Sequence, residues 1–86
     1  MVQKTFTITN KMGLHMRPAN NFITAMTKYK SDITIVFNGN KINGKSIMNI
    51  MAACIKYDSP ITIICDGEDE QAMLDEAVSL IENGLE

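Results

Sequence analysis

Ile33-Thr34-Ile35-Val36-Phe37-Asn38-Gly39-Asn40-Lys41-Ile42-Asn43 is the stretch that decides the fold. Ile33, Ile35 and Phe37 alternate with Thr34 and Val36, the two-residue period of a strand. Asn38-Gly39 is the strongest short hairpin signal, so Asn40 to Asn43 reads as a return strand that Gly44 ends. A hairpin at the centre of the chain makes part of its sheet antiparallel.

The segments on the N-terminal side read as a strand and a helix. Val2 to Thr9 alternates, with Val2, Phe6 and Ile8 on one face and Gln3, Thr5, Thr7 and Thr9 on the other. Lys4 interrupts the apolar face, which suggests a place near the sheet margin. From Met16 to about Lys28 the apolar positions Ala19, Phe22, Ile23 and Met26 follow the i, i+3, i+4, i+7 pattern of one helical face. Lys28 and Lys30 close that helix, where cations complement its negative end.

Towards the C-terminus, Ser46 is placed to cap a short helix whose inner face carries Ile47, Ile50, Met51 and Cys54. Pro60 opens a strand where its missing N–H is harmless, with Ile61, Ile63 and Cys65 facing one way. Asp66-Gly67 turns the chain, and Asp69 can cap a last helix built on Met73, Leu74, Ala77, Val78, Leu80 and Ile81, with Gly84 as its stop. The order is β-α-β-β-α-β-α. A right-handed β-α-β unit lays its strands parallel with a gap between them, and the last strand, running the other way, fills it. The expected fold is α+β, an open-faced β-sandwich: a four-stranded antiparallel sheet with three helices on one face, the other lined by Thr5, Thr7, Thr34 and Thr62.

Eighty-six residues make one domain, 1–86, and 45% apolar content suits a folded core. A net charge of −2 argues against a nucleic-acid module, as does an open sheet face short of basic and aromatic residues. No apolar run reaches membrane-spanning length and no leader-like segment is present, so the expectation is a cytoplasmic chain, not inserted in a membrane, with monomer as the default state. Cys54 and Cys65 lack metal-ligand spacing, so no metal site is expected; both fall on apolar stripes and read as buried thiols. No cofactor is implied.

Chemistry concentrates in Gly13-Leu14-His15-Met16-Arg17-Pro18-Ala19, which holds the chain's one histidine and its one arginine. His15 sits at the start of a helix, where unpaired N–H groups and a partial positive charge favour an anion. A neutral imidazole is a nucleophile, and the guanidinium of Arg17 is a forked clamp for phosphoryl oxygens. Pro18 fits the first helical turn, and the backbone donors lie around Met16 and Arg17. No Asp or Glu lies within ten residues of His15 on either side. A nucleophile and an anion clamp without a general base suit holding a phosphoryl group better than hydrolysing it. Equally, a lone histidine before a helix can be an idle surface residue.

Lys45-Ser46-Ile47-Met48 is the second constellation. Ser46 reads as a plain N-cap, or as a phosphorylation site, since a helix N-terminus tolerates phosphoserine. Met12, Met16 and Met48 fall off the core stripes, and thioethers suit a surface that meets several partners.

The two segments together closely resemble the HPr family, the histidine-containing phosphocarriers of the bacterial sugar phosphotransferase system. The likeness covers essentially the whole chain. It implies that His15 takes a phosphoryl group on Nδ1 from Enzyme I, charged by phosphoenolpyruvate, and passes it to sugar-specific IIA domains with help from Arg17. It also implies that Ser46 is a substrate of an HPr kinase/phosphorylase, that the phosphoserine form binds a catabolite-control transcriptional regulator, and that Met12, Met16, Asn20, Ile47, Met48 and Met51 form the docking patch. Such a protein is a carrier, not an enzyme with its own small-molecule turnover. Met12, Met16, Asn20, Gly44 and Cys54 depart from the usual family residues, a small polar residue, alanine, threonine, leucine and glycine; Gly44 is expected to loosen the loop presenting Ser46.

Overall fold

The computed structural model describes residues 1–8, 16–56 and 58–82. Its elements are β1 (Val2–Thr7), α1 (Met16–Met26), β2 (Asp32–Phe37), β3 (Asn40–Asn43), α2 (Ile47–Ala53), β4 (Pro60–Asp66) and α3 (Glu70–Glu82). The sheet order is β1-β4-β2-β3, with every neighbouring pair antiparallel. The last strand therefore fills the gap between β1 and β2, as the sequence predicts.

Register follows from which side chains are apolar. Ile33 and Ile35 lie opposite Cys65 and Ile63, and Ile42 lies opposite Ile35; all are buried on the helix-facing side. Slipping any strand by one residue would turn these side chains to the open face. On that face Thr5 lies opposite Thr62 and their hydroxyls are 2.8 Å apart. The helices close the core with Ala19, Phe22 and Met26 from α1, Ile50 from α2, and Met73, Leu74, Ala77, Val78 and Ile81 from α3. The Asn38-Gly39 turn has φ of 52° and 79°, positive at both residues as a type I′ hairpin requires.

Four local expectations are corrected. First, β1 ends at Thr7, although Ile8, which is buried, still exchanges backbone bonds with the chain before β4, donating to Ser59 O and accepting from Asp58 N. Thr9 and Gly84 lie outside the described residues. Second, α1 ends at Met26, and Lys28 lies beyond it with Nζ 2.8 Å from Glu76 of α3. The cation serves another helix because the turn carries it across to α3. Third, Cys54 is exposed, not buried. It closes α2 in the left-handed conformation (φ 54°, ψ 49°), with its N–H on Met51 O, and leaving helical geometry there rotates the thiol off the inner stripe. Glycine would take that conformation without a Cβ penalty. Cys65 is buried as expected, and desolvation, reinforced by Glu70, pushes its thiol up to about 11. Fourth, Asp69 does stand at the N-cap position of α3, its carbonyl accepting from Met73 N at 3.0 Å, but its carboxylate turns to the loop before β2. It accepts from Lys30 N (3.0 Å), Ser31 N (2.9 Å) and Ser31 Oγ (2.5 Å), while Ser31 Oγ in turn receives Asp69 N (3.1 Å).

Gly44 is close-packed, against the expectation of slack. Its N–H donates to Ile33 O at 2.9 Å, and a Cβ there would stand 2.9 Å from Ile33 Cγ2. The absent side chain lets the end of the hairpin close onto β2.

Candidate functional site

The expectations for Met12 and His15 fall outside the described residues. The helix that follows His15 is real: α1 opens at Met16 with Arg17 and Pro18 in its first turn, and that turn holds no acidic residue. Its positive end is therefore not neutralised from within the helix, which favours an anion placed against it. The buried Ala19, Phe22 and Met26 anchor the helix in the common hydrophobic core, and Asn20 of the same helix is exposed.

Packed against α1 is α2, so the elements that carry the two sequence constellations are neighbours. Ser46 is the N-cap of α2, in extended conformation (φ −113°, ψ 113°), its Oγ accepting from Asn49 N at 3.3 Å. Its carbonyl accepts from Ile50 N at 3.1 Å. The cap expectation holds. Ile50 is buried, Ile47 and Met51 are half-buried against the core, and Met48 is 80% exposed. A thioether so open beside two half-buried apolar residues leaves a small, deformable apolar surface at the start of α2.

A junction at Tyr29 was not legible in the sequence. Its carbonyl accepts from Lys45 Nζ at 3.0 Å, and its hydroxyl donates to Glu76 Oε1 at 2.5 Å. The ammonium of Lys28 and the Tyr29 hydroxyl hold the Glu76 carboxyl below its ordinary range, while that same hydrogen bond to Glu76 pushes the Tyr29 hydroxyl up to about 12. The connection between α1 and β2 is thereby tied to α3 on one side and to the residue before Ser46 on the other. These partners lie 16 and 47 positions away, beyond any local pattern.

Among the described residues no three His, Cys, Asp or Glu side chains group as metal ligands. Grooves among the described residues include one between β1 and α3 (Val2, Lys4, Leu74, Val78) and one along β2 and β3 (Asp32, Thr34, Lys41, Asn43). No helix among the described residues is long and apolar enough to cross a membrane.

Comparison with known proteins agrees with this architecture. Residues 2–83 match the family described as the PTS HPr component phosphorylation site. The phosphocarrier protein HPr of Buchnera aphidicola subsp. Acyrthosiphon pisum is 40% identical over 86 residues, covering all of both chains. The crystal structure of an HPr from Thermoanaerobacter tengcongensis superimposes with a TM-score of 0.95 at 35% identity, covering 99% of this chain and 96% of that one. A second structure from the same organism, an HPr dimer, matches with a TM-score of 0.79 at 35% identity, covering 100% and 99% of the two chains.

Proposed function

Because the chain belongs to the HPr family of phosphocarrier proteins of the phosphotransferase system, we propose that His15 is its phosphoryl acceptor and Arg17 the clamp on the transferred group. The observation that carries this reading is the Gly13–Ala19 segment leading into an α1 whose first turn is free of carboxylates. The imidazole Nδ1 lone pair attacks the phosphorus of phospho-Enzyme I, the bond to the donor breaks, and the donor keeps that electron pair. The same step runs outward to a IIA domain. Arg17 and the N–H groups at the helix start offset charge on the phosphoryl oxygens in both directions, and Pro18 presets the first turn. With no Asp or Glu within ten residues of His15 along the chain, the segment itself brings no general base to activate water, which suits keeping the phosphoryl group for the next protein.

The carrier works in the cytoplasm, as a monomer that docks through Met12, Met16, Asn20, Ile47, Met48 and Met51. Sedimentation velocity checks the monomer, since one related HPr is a dimer. Ser46 is the regulatory position, modified by an ATP-dependent HPr kinase/phosphorylase. About two negative charges beside Ile47 and Met48 would disfavour an acidic partner on that surface and create one that a transcriptional regulator reads.

Incubation with phosphoenolpyruvate, magnesium and Enzyme I should give acid-labile phosphate on the wild type and none on His15→Ala. Equal label on the variant would overturn the assignment. Incubation with the kinase and ATP should give acid-stable phosphate that Ser46→Ala abolishes, and label persisting in that variant would remove the regulatory claim.

A further inference from the structure

We propose that Lys45 is a movable clamp: in the unmodified protein its ammonium holds the carbonyl of Tyr29, and a phosphoryl group on Ser46 draws it away. The inference rests on the reading of Ser46 as the modified residue and adds the device by which the modification is felt elsewhere. Lys45 is half-buried, and its Nζ lies 3.0 Å from Tyr29 O. Among the described residues no carboxylate stands within 4 Å of that ammonium, whereas Lys28 and Lys30 pair with Glu76 and Glu68. A partly desolvated cation held only by a neutral carbonyl lacks an opposite charge to offset its desolvation, so an anion brought within reach attracts it more strongly than the carbonyl does.

A phosphoserine at the next position supplies the missing anion, with a charge of about −2 and three acceptor oxygens. The lysine stem is flexible enough to turn towards it. The backbone of Lys45 need not follow, since its N–H is fixed on Asn43 Oδ1 at 3.0 Å and Ser46 N on Asn43 O at 3.1 Å. The turn that loses the ammonium also stays in place. Tyr29 N remains on Met26 O, the Tyr29 hydroxyl on Glu76, and Lys30 N and Ser31 N on Asp69. The response is therefore a local release of the carbonyl after α1, in the same segment whose hydroxyl reaches α3. Lys45 is a positioning residue, not a phosphoryl ligand of the His15 site.

The test installs phosphoserine at position 46 during synthesis, by an expanded genetic code, and follows the Tyr29 carbonyl ¹³C resonance in the full chain. Phosphoserine in the wild-type background should shift that resonance upfield, the sign of a lost hydrogen bond. Lys45→Met should produce the same shift without phosphate. Lys45→Gln, which can still donate to the carbonyl but carries no charge to be drawn away, should show no phosphate-dependent shift. A Tyr29 resonance that phosphoserine leaves unmoved, or moves equally in Lys45→Gln, overturns the proposal. Melting curves verify that each variant is folded, and if Lys45→Met is not, the Lys45→Gln pair decides. A kinase that fails to label Ser46 would overturn the regulatory reading alone, because here the phosphate is placed without it.

Discussion

Replacing Gly67 by alanine should be among the most damaging single-methyl changes available to this fold. Gly67 has φ of 151°, a region that L side chains rarely adopt. A Cβ there would stand 2.5 Å from Ser31 Oγ, 2.7 Å from Ser31 Cα and 2.8 Å from Ser31 Cβ. Two of those three atoms cannot swing aside without moving the backbone, and Ser31 is only 1% exposed. Ser31 is also held by Asp69, so displacing it strains the tie between the start of β2 and the start of α3. Backbone strain costs about 1–3 kcal/mol and overpacking a similar amount, so a total near 3 kcal/mol is a fair central value. For a domain of this size that lowers Tm by about 12–24 °C. Urea unfolding at fixed pH gives the free energy directly. Adding Ser31→Ala should recover only a minor part of the loss, because the clash with the Ser31 backbone remains. A Gly67→Ala protein within about 1 kcal/mol of wild type would refute the steric argument.

Acid should weaken the same tie. Hydrogen bonds from Ser31 Oγ and from the Lys30 and Ser31 N–H groups lower the Asp69 carboxyl from 3.8 to about 2. A depressed folded value means the contribution is complete above 3.8 and is lost as pH falls towards 2, so Asp69→Asn should flatten the acid limb of a stability–pH curve; an unchanged limb would argue against it. Cys54→Gly should stabilise the protein by about 1 kcal/mol in urea unfolding, because the left-handed residue loses its Cβ, whereas Cys54→Val should destabilise it. In the folded protein Cys54 should react with a thiol reagent within minutes at about pH 8, and Cys65 only on unfolding; equal rates would contradict the burial of Cys65.

Where the sequence is legible, the reason is local. Ile33 to Asn43 carries the hairpin in its alternation and its Asn-Gly turn, and α1 carries its inner face in Ala19, Phe22 and Met26. Ser46 declares itself as a cap because capping joins residues three apart. The Gly13–Ala19 segment, read residue by residue, leaves a phosphoryl nucleophile and an idle surface histidine both open, and it is the resemblance to the HPr family that favours the first.

Tertiary structure decided what depends on partners far along the chain. Asp69 looks like an ordinary cap until β2 brings Ser31 to it, 38 positions away. Cys54 sits on an apolar stripe until the helix stops beneath it and the left-handed turn points the thiol to water. Lys28 reads as a cation closing α1, and nothing local gives Lys45 a partner, until Glu76 and the Tyr29 carbonyl arrive from other elements. Periodicity and capping report which face a side chain occupies and how a helix begins, since those are fixed within one turn or one strand. Which carbonyl or carboxylate meets a given side chain is fixed only when the sheet closes in the order β1-β4-β2-β3 and α1 and α2 come together.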